Sequence, residues 1–206
     1  RAVAGYGDAS CLSFHATKVF HTIEGGAVVF HDEELGKRIW DLKDFGIHGL
    51  ESVEAVGANA KMNEFCAAMG LCNLRHVDEE IVKRGRVVAR YREHLTGVEG
   101  IRLSPQQQDV KPNYAYFPVV FDEKTFGATR NEVYHHLAEH GIMARKYFYP
   151  LVNDFACYCS QYDSKDTSVA LAIAKRVLTL PLYAELPLEQ VDEICRLILE
   201  TGKKRG

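Results

Sequence analysis

LSFHATKVFHTIEGGAVVF, residues 12–30, is the stretch from which we predict the fold of this chain. It predicts a strand over Ser10–Phe14, a turn that carries Lys18, and a buried strand over Ala27–Phe30. A lysine held between two buried strands would lie near apolar groups, where desolvation disfavours its ammonium form and makes the amine a better nucleophile. Schiff-base chemistry requires such an amine. A plain surface loop lysine is the alternative that the residue types leave open.

Composition excludes several classes of function. The 206 residues are 47% hydrophobic and carry a formal net charge of −3, so there is no electrostatic reason to expect nucleic acid or an acidic membrane surface. No apolar run approaches the roughly 20 residues of a membrane helix, and the first residues lack the apolar core of a signal peptide. Six cysteines without a regular framework indicate reduced thiols and a cytoplasmic protein.

Helical patterns follow the two predicted strands. Asp32 is the expected N-cap of a first helix. This helix carries Trp40, whose side chain we expect to pack in the core. The glycine-rich segment 45–59 is predicted to be irregular. Residues 62–95 then carry a helical pattern long enough for two helices or one long connecting helix.

The second half of the sequence indicates a compact unit of strands and helices. We predict strands over 114–121 and 142–147, and a capping box at Thr129 and Glu132. A further helix is predicted from the apolar spacing of Val169, Ile173 and Val177. Pro187 is expected to open the last helix. Strands interleaved with helices are typical of the α/β class.

Several segments together resemble one known family. The chain is similar to the DegT-type (DegT/DnrJ/EryC/StrS) nucleotide-sugar aminotransferases, which depend on pyridoxal 5′-phosphate (PLP) and have fold type I. The segments that carry the resemblance are Ser13-Phe-His-Ala-Thr-Lys18 with Glu24-Gly-Gly-Ala27, Gly57-Ala-Asn-Ala-Lys-Met62, Gly141-Ile-Met-Ala-Arg-Lys-Tyr-Phe-Tyr-Pro-Leu151 and Leu178-Thr-Leu-Pro-Leu-Tyr183.

The resemblance implies an α/β fold and a chain that is the C-terminal part of a longer fold-type-I transferase. This part would contain the end of the large-domain sheet and the small C-terminal α/β domain. Residues 1–80 would be the remainder of the PLP-binding large domain, and residues 81–206 the connecting helix and the small domain. In the family, a preceding segment supplies the phosphate-binding helix terminus, a stacking ring and an aspartate for the pyridine nitrogen. We therefore expect weak or no PLP binding by these 206 residues alone.

The resemblance also implies roles for particular residues. Lys18 matches the Schiff-base lysine, and Ser13 matches a hydroxyl that donates to the cofactor phosphate. Asn59 matches an asparagine that reaches the phosphate in the neighbouring subunit, which implies a homodimer with a shared active site. On physical grounds alone, Ser13 could instead bond to backbone, and Asn59 could be an ordinary turn residue.

Two further features bear on the reaction. Relatives that dehydrate a sugar carry histidine at the position of Lys18, so the lysine favours aminotransfer. Arg145 and Tyr147 lie in a basic and aromatic cluster and are the expected substrate-binding residues, with structural packing as the alternative. The histidines that flank Lys18 lack a third ligand partner, so no metal is expected.

The sequence thus leaves two hypotheses. In the first, the chain is part of a PLP-dependent aminotransferase that moves an amino group, with glutamate as the implied donor, to a keto group of a nucleotide-linked deoxysugar. In the second, it is a non-catalytic fragment or degenerate relative that acts as a binding or dimerisation module.

Overall fold

A computed structural model describes residues 2–203, without the side chain of residue 203. It divides the chain into two units, residues 1–78 and residues 79–206. The assignment of these parts to a large cofactor-binding domain and a small domain stays a prediction.

The first unit begins with a short 3-10 helix, Val3–Gly5, and an antiparallel hairpin of strands β1 (Ala9–Ser13) and β2 (Gly26–Phe30). In its register, Ser13 lies opposite Gly26. The expectation of buried strands was wrong, because most residues of β1 and β2 are exposed. Within residues 2–203 the two strands form a sheet of only two strands, and side chains on its faces are buried only where other elements pack over them.

Two helices complete the first unit. Helix α1 (Glu33–Lys43) begins at Asp32, whose carboxylate accepts from the backbone N–H of Glu34 as predicted. Trp40 is 54% exposed, so its expected place in the core was wrong. The Lys43 ammonium instead lies 4.0 Å from the centroid of the Trp40 ring. An irregular segment then leads to helix α2 (Glu64–Leu74), which Asn63 caps.

The helical pattern over residues 62–95 corresponds to two helices, because α2 ends before helix α3 (Val77–Leu95) begins. The second unit then contains an antiparallel sheet in the order β3-β4-β5. Its elements are β3 (Ile101–Leu103), β4 (Phe117–Phe121), α4 (Glu123–Phe126), α5 (Arg130–Glu139), α6 (Ser168–Ala174), β5 (Val177–Leu180) and α7 (Leu188–Lys203). Short 3-10 helices lie at Val152–Asp154 and Ser164–Thr167.

The core of the second unit lies between this sheet and the helices α3, α5 and α7. The capping box at Thr129 and Glu132 is confirmed, with each side chain accepting from the other residue's backbone N–H. Fully buried side chains from all these elements form one apolar cluster. Its largest members are Tyr91, Phe121, Leu95, Leu137, Leu178, Leu180, Leu197 and Ile198.

Two predictions of local structure in this unit were wrong. The segment 142–147 forms no strand and contributes only a single bridge between Arg145 and Thr179. The apolar spacing predicted that Val177 lies in the same helix as Val169 and Ile173. That helix ends at Ala174, and Val177 instead starts β5. Pairing with Val120 of β4 decides the conformation of Val177.

None of the helices in residues 2–203 combines the length and the apolar composition that a membrane crossing requires.

Candidate functional site

Lys18 lies in the connection between β1 and β2, residues 14–25, which we call the lysine loop. The backbone N–H of Lys18 donates to the carbonyl oxygen of His15 across 2.9 Å and so closes a tight turn. At the base of the loop, Phe14 donates from its backbone to Gly25 and accepts from Thr22, each across 2.9 Å. The backbone on both sides of Lys18 is therefore hydrogen-bonded.

Side chains of the lysine loop bond to the loop itself. The Thr22 hydroxyl donates to the carbonyl oxygen of Glu24 across 2.8 Å, and Thr22 is only 3% exposed. The His15 ring and the Glu24 carboxylate lie 3.0 Å apart. The Phe14 and Phe20 rings meet edge to face, with centroids 5.0 Å apart. These contacts fix the shape of the loop that presents Lys18.

Helix α2 packs against the lysine loop and forms a hydrogen bond with it. The Asn73 amide donates to the carbonyl oxygen of His21 across 2.9 Å. A Cβ on Gly70 would come within 2.7 Å of the Thr22 methyl group, so only glycine lets the helix approach this closely. The loop is thus held by a hydrogen bond and by close packing.

The exit of the lysine loop is constrained as well. A Cβ on Gly26 would lie 2.7 Å from the carbonyl oxygen of Leu12 in the neighbouring strand. Ile23 has a φ of 69°, a conformation that β-branched residues rarely adopt. Such strain persists only where surrounding contacts over-determine the backbone.

Ser13 and Lys18 are carried by the same hairpin, one at the end of β1 and one in the loop that follows. Lys18 is half-buried and Ser13 is exposed. A primary amine can bond to an aldehyde, and a hydroxyl can donate to a phosphate oxygen. The donor chemistry of this hairpin therefore fits PLP.

Asn59 belongs to the same unit but to a different segment. Its side chain is exposed, and its oxygen accepts from the backbone N–H of Lys61 across 3.5 Å. The segment folds back on the end of α1, where Asp44 and Asn59 form an antiparallel bridge and the Lys61 ammonium lies 2.6 Å from the Asp44 carboxylate. The turn interpretation and the cofactor interpretation of Asn59 both remain open.

Arg145 and Tyr147 lie in the second unit and contact each other. The Arg145 guanidinium donates to the Tyr147 hydroxyl and lies 5.3 Å from the centroid of that ring. The Tyr147 ring stacks on Phe148, with centroids 4.6 Å apart. Both residues line a cavity of about 760 Å³, within the range of small-molecule sites.

Sequence reasoning missed residues that act through contacts distant in sequence. Thr22 packs against Gly70, and Asn73 bonds to His21. Arg130 packs against Tyr149, which lines the same cavity as Arg145. The only local signal at Arg130 is its place at the start of a capped helix, which says nothing about Tyr149, nineteen positions later. The partner of Asn73 is 52 residues away.

In the part of the chain that the structure describes, no three histidine, cysteine, aspartate or glutamate side chains are arranged to hold a metal ion. The six cysteines are free thiols.

Comparisons with known proteins agree with this arrangement. A dTDP-4-amino-4,6-dideoxy-D-glucose transaminase of Shigella dysenteriae is 40% identical over 202 residues, covering 97% of this chain and 54% of that protein. The crystal structure of DesI in the presence of its TDP-sugar product matches with a TM-score of 0.89 at 35% identity, covering 99% of this chain and 52% of the other. A sugar aminotransferase from Streptococcus pneumoniae in its PMP-form has a TM-score of 0.87 at 25% identity, covering 98% and 53%.

These similarities confirm the predicted α/β fold of a partial fold-type-I transferase. The chain spans about half the length of the curated relatives it matches. Residues 1–199 match the family model of the DegT/DnrJ/EryC1/StrS aminotransferases. The chain belongs to the DegT/DnrJ/EryC1/StrS aminotransferase family.

Proposed function

We propose that the whole protein is a PLP-dependent aminotransferase that transfers an amino group, with glutamate as donor, to a keto group of a nucleotide-linked deoxysugar. The product would serve polysaccharide or glycoside biosynthesis. The observation that carries the proposal is Lys18, held in a closed turn within a chain of this family. The relatives' names support the substrate class, since one is a dTDP-sugar transaminase and another was crystallised with its TDP-sugar product.

When bound, PLP supplies an aldehyde that bonds to amines and a ring that accepts electrons. The Lys18 amine would bond to this aldehyde, and the same amine could hold and release a proton as a general acid and base. Because the turn from His15 to Lys18 is closed by a hydrogen bond, the amine starts from a fixed backbone position. The Ser13 hydroxyl donates a hydrogen bond to the cofactor phosphate.

The remaining predicted residues have further roles in this proposal. The Asn59 amide donates to the phosphate in the neighbouring subunit, so the enzyme works as a homodimer with a shared active site. The exposure of the Asn59 side chain supports this role. Arg145 and Tyr147 contact the substrate, and their place at a cavity supports that role. We place the enzyme in the cytoplasm, in keeping with six free thiols.

The test is covalent trapping in the full-length protein that contains this sequence. The protein is incubated with PLP, reduced with borohydride, digested and mapped by mass spectrometry. We expect the reduced adduct on Lys18, and its loss in Lys18→Ala. Lys37→Ala is the matched control, because Lys37 is an exposed lysine of α1 that pairs with Glu34.

An adduct on any other lysine of the wild-type protein would contradict the role of Lys18. Absence of any adduct in a folded full-length protein would favour the second hypothesis, a non-catalytic binding or dimerisation module. The trapped mass is read out directly, so the result does not depend on knowing the sugar substrate.

A further inference from the structure

A chain of contacts crosses the lysine loop from helix α2 to the turn that carries Lys18. It begins at Gly70 of α2, which lies against the buried side chain of Thr22. The Thr22 hydroxyl donates to the carbonyl oxygen of Glu24 across 2.8 Å. The Nδ1 atom of His15 lies 3.0 Å from the Glu24 carboxylate, and the His15 carbonyl oxygen accepts from the backbone N–H of Lys18. His15 and Glu24 therefore connect the side of the loop that α2 holds to the lysine.

The two residues of this pair lie on opposite sides of the lysine loop. At the base of the loop, Phe14 donates from its backbone to the carbonyl oxygen of Gly25. The contact between His15 and Glu24 continues this closure by one residue on each side. Ile23, directly before Glu24, has a φ of 69°, and such strain persists only where surrounding contacts hold the backbone. The Glu24 side chain thus makes one of the contacts that hold the exit of the loop.

The residue types suit a contact of this kind. Glu24 is the only acidic residue of the lysine loop, and the basic side chains of the loop are His15, Lys18 and His21. An imidazole N–H donates to a carboxylate whether the ring is neutral or protonated, so the contact does not require a charged ring. His15 and Glu24 can therefore stay bonded on both sides of neutral pH.

The pair is too exposed to add much to the stability of the whole chain. The His15 side chain is 49% exposed and the Glu24 side chain is 71% exposed, and exposed charged pairs contribute little to the free energy of unfolding. Its effect is instead local, because it restricts the turn from which the Lys18 side chain starts. A reacting group that is restricted in advance loses less entropy when it meets its partner.

We propose that His15 and Glu24 are positioning residues for Lys18. Their contact transmits the fixed position of Thr22 to the turn of the lysine, and it acts on the reaction only through the placement of the Lys18 amine. The inference rests on the proposed function in one respect, because the bond between that amine and an aldehyde is the step that the placement serves.

The first test needs no cofactor and uses limited trypsin digestion of the full-length protein. Cleavage directly after Lys18 requires the loop to open, so its initial rate reports local opening. We expect Glu24→Ala to raise this rate about fivefold, the upper end of what an exposed charged pair contributes. Cleavage after Lys61 is the internal standard, because the Lys61 ammonium pairs with Asp44 and not with the loop. An unchanged ratio of the two rates overturns the inference.

The second test measures how fast PLP forms the adduct on Lys18, with borohydride added at successive times. We expect Glu24→Ala to slow the reaction at saturating PLP about tenfold, since a misplacement of about 1 Å can cost up to roughly a hundredfold. The half-saturating PLP concentration should stay within about twofold, because no phosphate contact is lost. Glu24→Gln and His15→Asn keep an acceptor and a donor, and they should retain most of the rate. Glu51→Ala, which removes an exposed carboxylate of the same unit, is the control.

A double-mutant cycle tests whether the two residues act through their mutual contact. His15→Ala combined with Glu24→Ala should slow the adduct no further than either substitution alone, because both remove the same contact. Multiplied effects would overturn the inference, and so would a normal adduct rate in Glu24→Ala. Circular dichroism and Tm should be nearly unchanged in every variant, which separates lost placement from lost folding.

The two proposals fail separately. If borohydride traps nothing on Lys18 in the wild-type protein, the proposed function fails, and the trypsin ratio still decides whether His15 and Glu24 hold the turn. If the adduct forms on Lys18 at the same rate in wild type and Glu24→Ala, the role of Lys18 stands and the positioning role is overturned.

Discussion

The side-chain amide of Asn73 donates a hydrogen bond to the carbonyl oxygen of His21, across 2.9 Å and 52 residues of sequence. It joins helix α2 to the lysine loop, three residues after the lysine itself. Gly70, one turn earlier on the same helix, lies against Thr22. The position of Lys18 therefore depends on contacts with helix α2, and the residues next to Lys18 in sequence do not specify these contacts.

Asn73→Ala should lower the free energy of unfolding by about 1 kcal/mol, because the His21 carbonyl loses a half-buried partner. Urea unfolding followed by circular dichroism measures the change. The control is Cys72→Ala, an exposed neighbour on the same helix. Equal effects of the two substitutions would mean that helix propensity, and not the hydrogen bond, was measured.

Gly26→Ala should destabilise the hairpin, because its Cβ would lie 2.7 Å from the Leu12 carbonyl oxygen and both backbones must shift. The expected cost is about 1–3 kcal/mol, as for other overpacked positions. Gly49→Ala provides the comparison, since a Cβ there meets nothing within 4 Å. Its stability should stay level or rise slightly. Thermal unfolding of both variants would show the difference, and a stable Gly26→Ala protein would refute the close approach.

Acid should weaken the link between α3 and α7. The Asp192 carboxylate accepts from Arg90 across 2.6 and 2.8 Å and lies 2.8 Å from the His94 ring. Arg90 first, and His94 second, lower the pKa of Asp192 to about 2 from its ordinary value of 3.8. A carboxylate with a lowered pKa in the folded state stabilises fully above its unfolded value, and that stabilisation is lost as the pH falls towards 2.

Asp192→Asn should therefore lower Tm clearly at pH 6 and progressively less below pH 4. A series of Tm values from pH 6 to pH 2 on wild type and variant would measure this convergence. Glu99→Gln removes an exposed carboxylate near β3 and should show no such trend. A constant difference between wild type and Asp192→Asn across the series would argue against the ion pairs.

Cys195 should resist alkylation in the folded protein. It is 0% exposed, and burial raises the pKa of its thiol to about 12, so almost no reactive thiolate is present near pH 8. Exposed Cys159 is the internal control. Mass spectrometry after iodoacetamide treatment should find Cys195 modified only in denaturant, and its modification under native conditions would contradict this packing.

Local signals predicted a large part of the fold. The Asp32 cap and the capping box at Thr129 and Glu132 each depend on residues two or three positions apart, and all were found where predicted. The last helix begins directly after Pro187, as predicted. Val191 of that helix is fully buried, as its apolar spacing indicated. Hydrogen bonds and sterics within one turn decide such features.

Local signals failed where pairing between distant segments decides the structure. Val177 continues a helical apolar spacing with Ile173, yet it lies in a strand because it pairs with Val120. The segment at Arg145 has the residues of a strand but makes one bridge. Trp40 is apolar and yet exposed, because burial depends on which surfaces the fold brings against it.

The sequence by itself determined the family, through motifs around Lys18 and Asn59, and most of the helices and caps. Only the tertiary structure decided which distant residues contact each other: that Asn73 and Gly70 hold the lysine loop, and that Arg130 packs against the Tyr149 ring. The physical reason is range. Caps and turns act over a few residues, whereas packing and electrostatic contacts join residues that only the folded chain brings together.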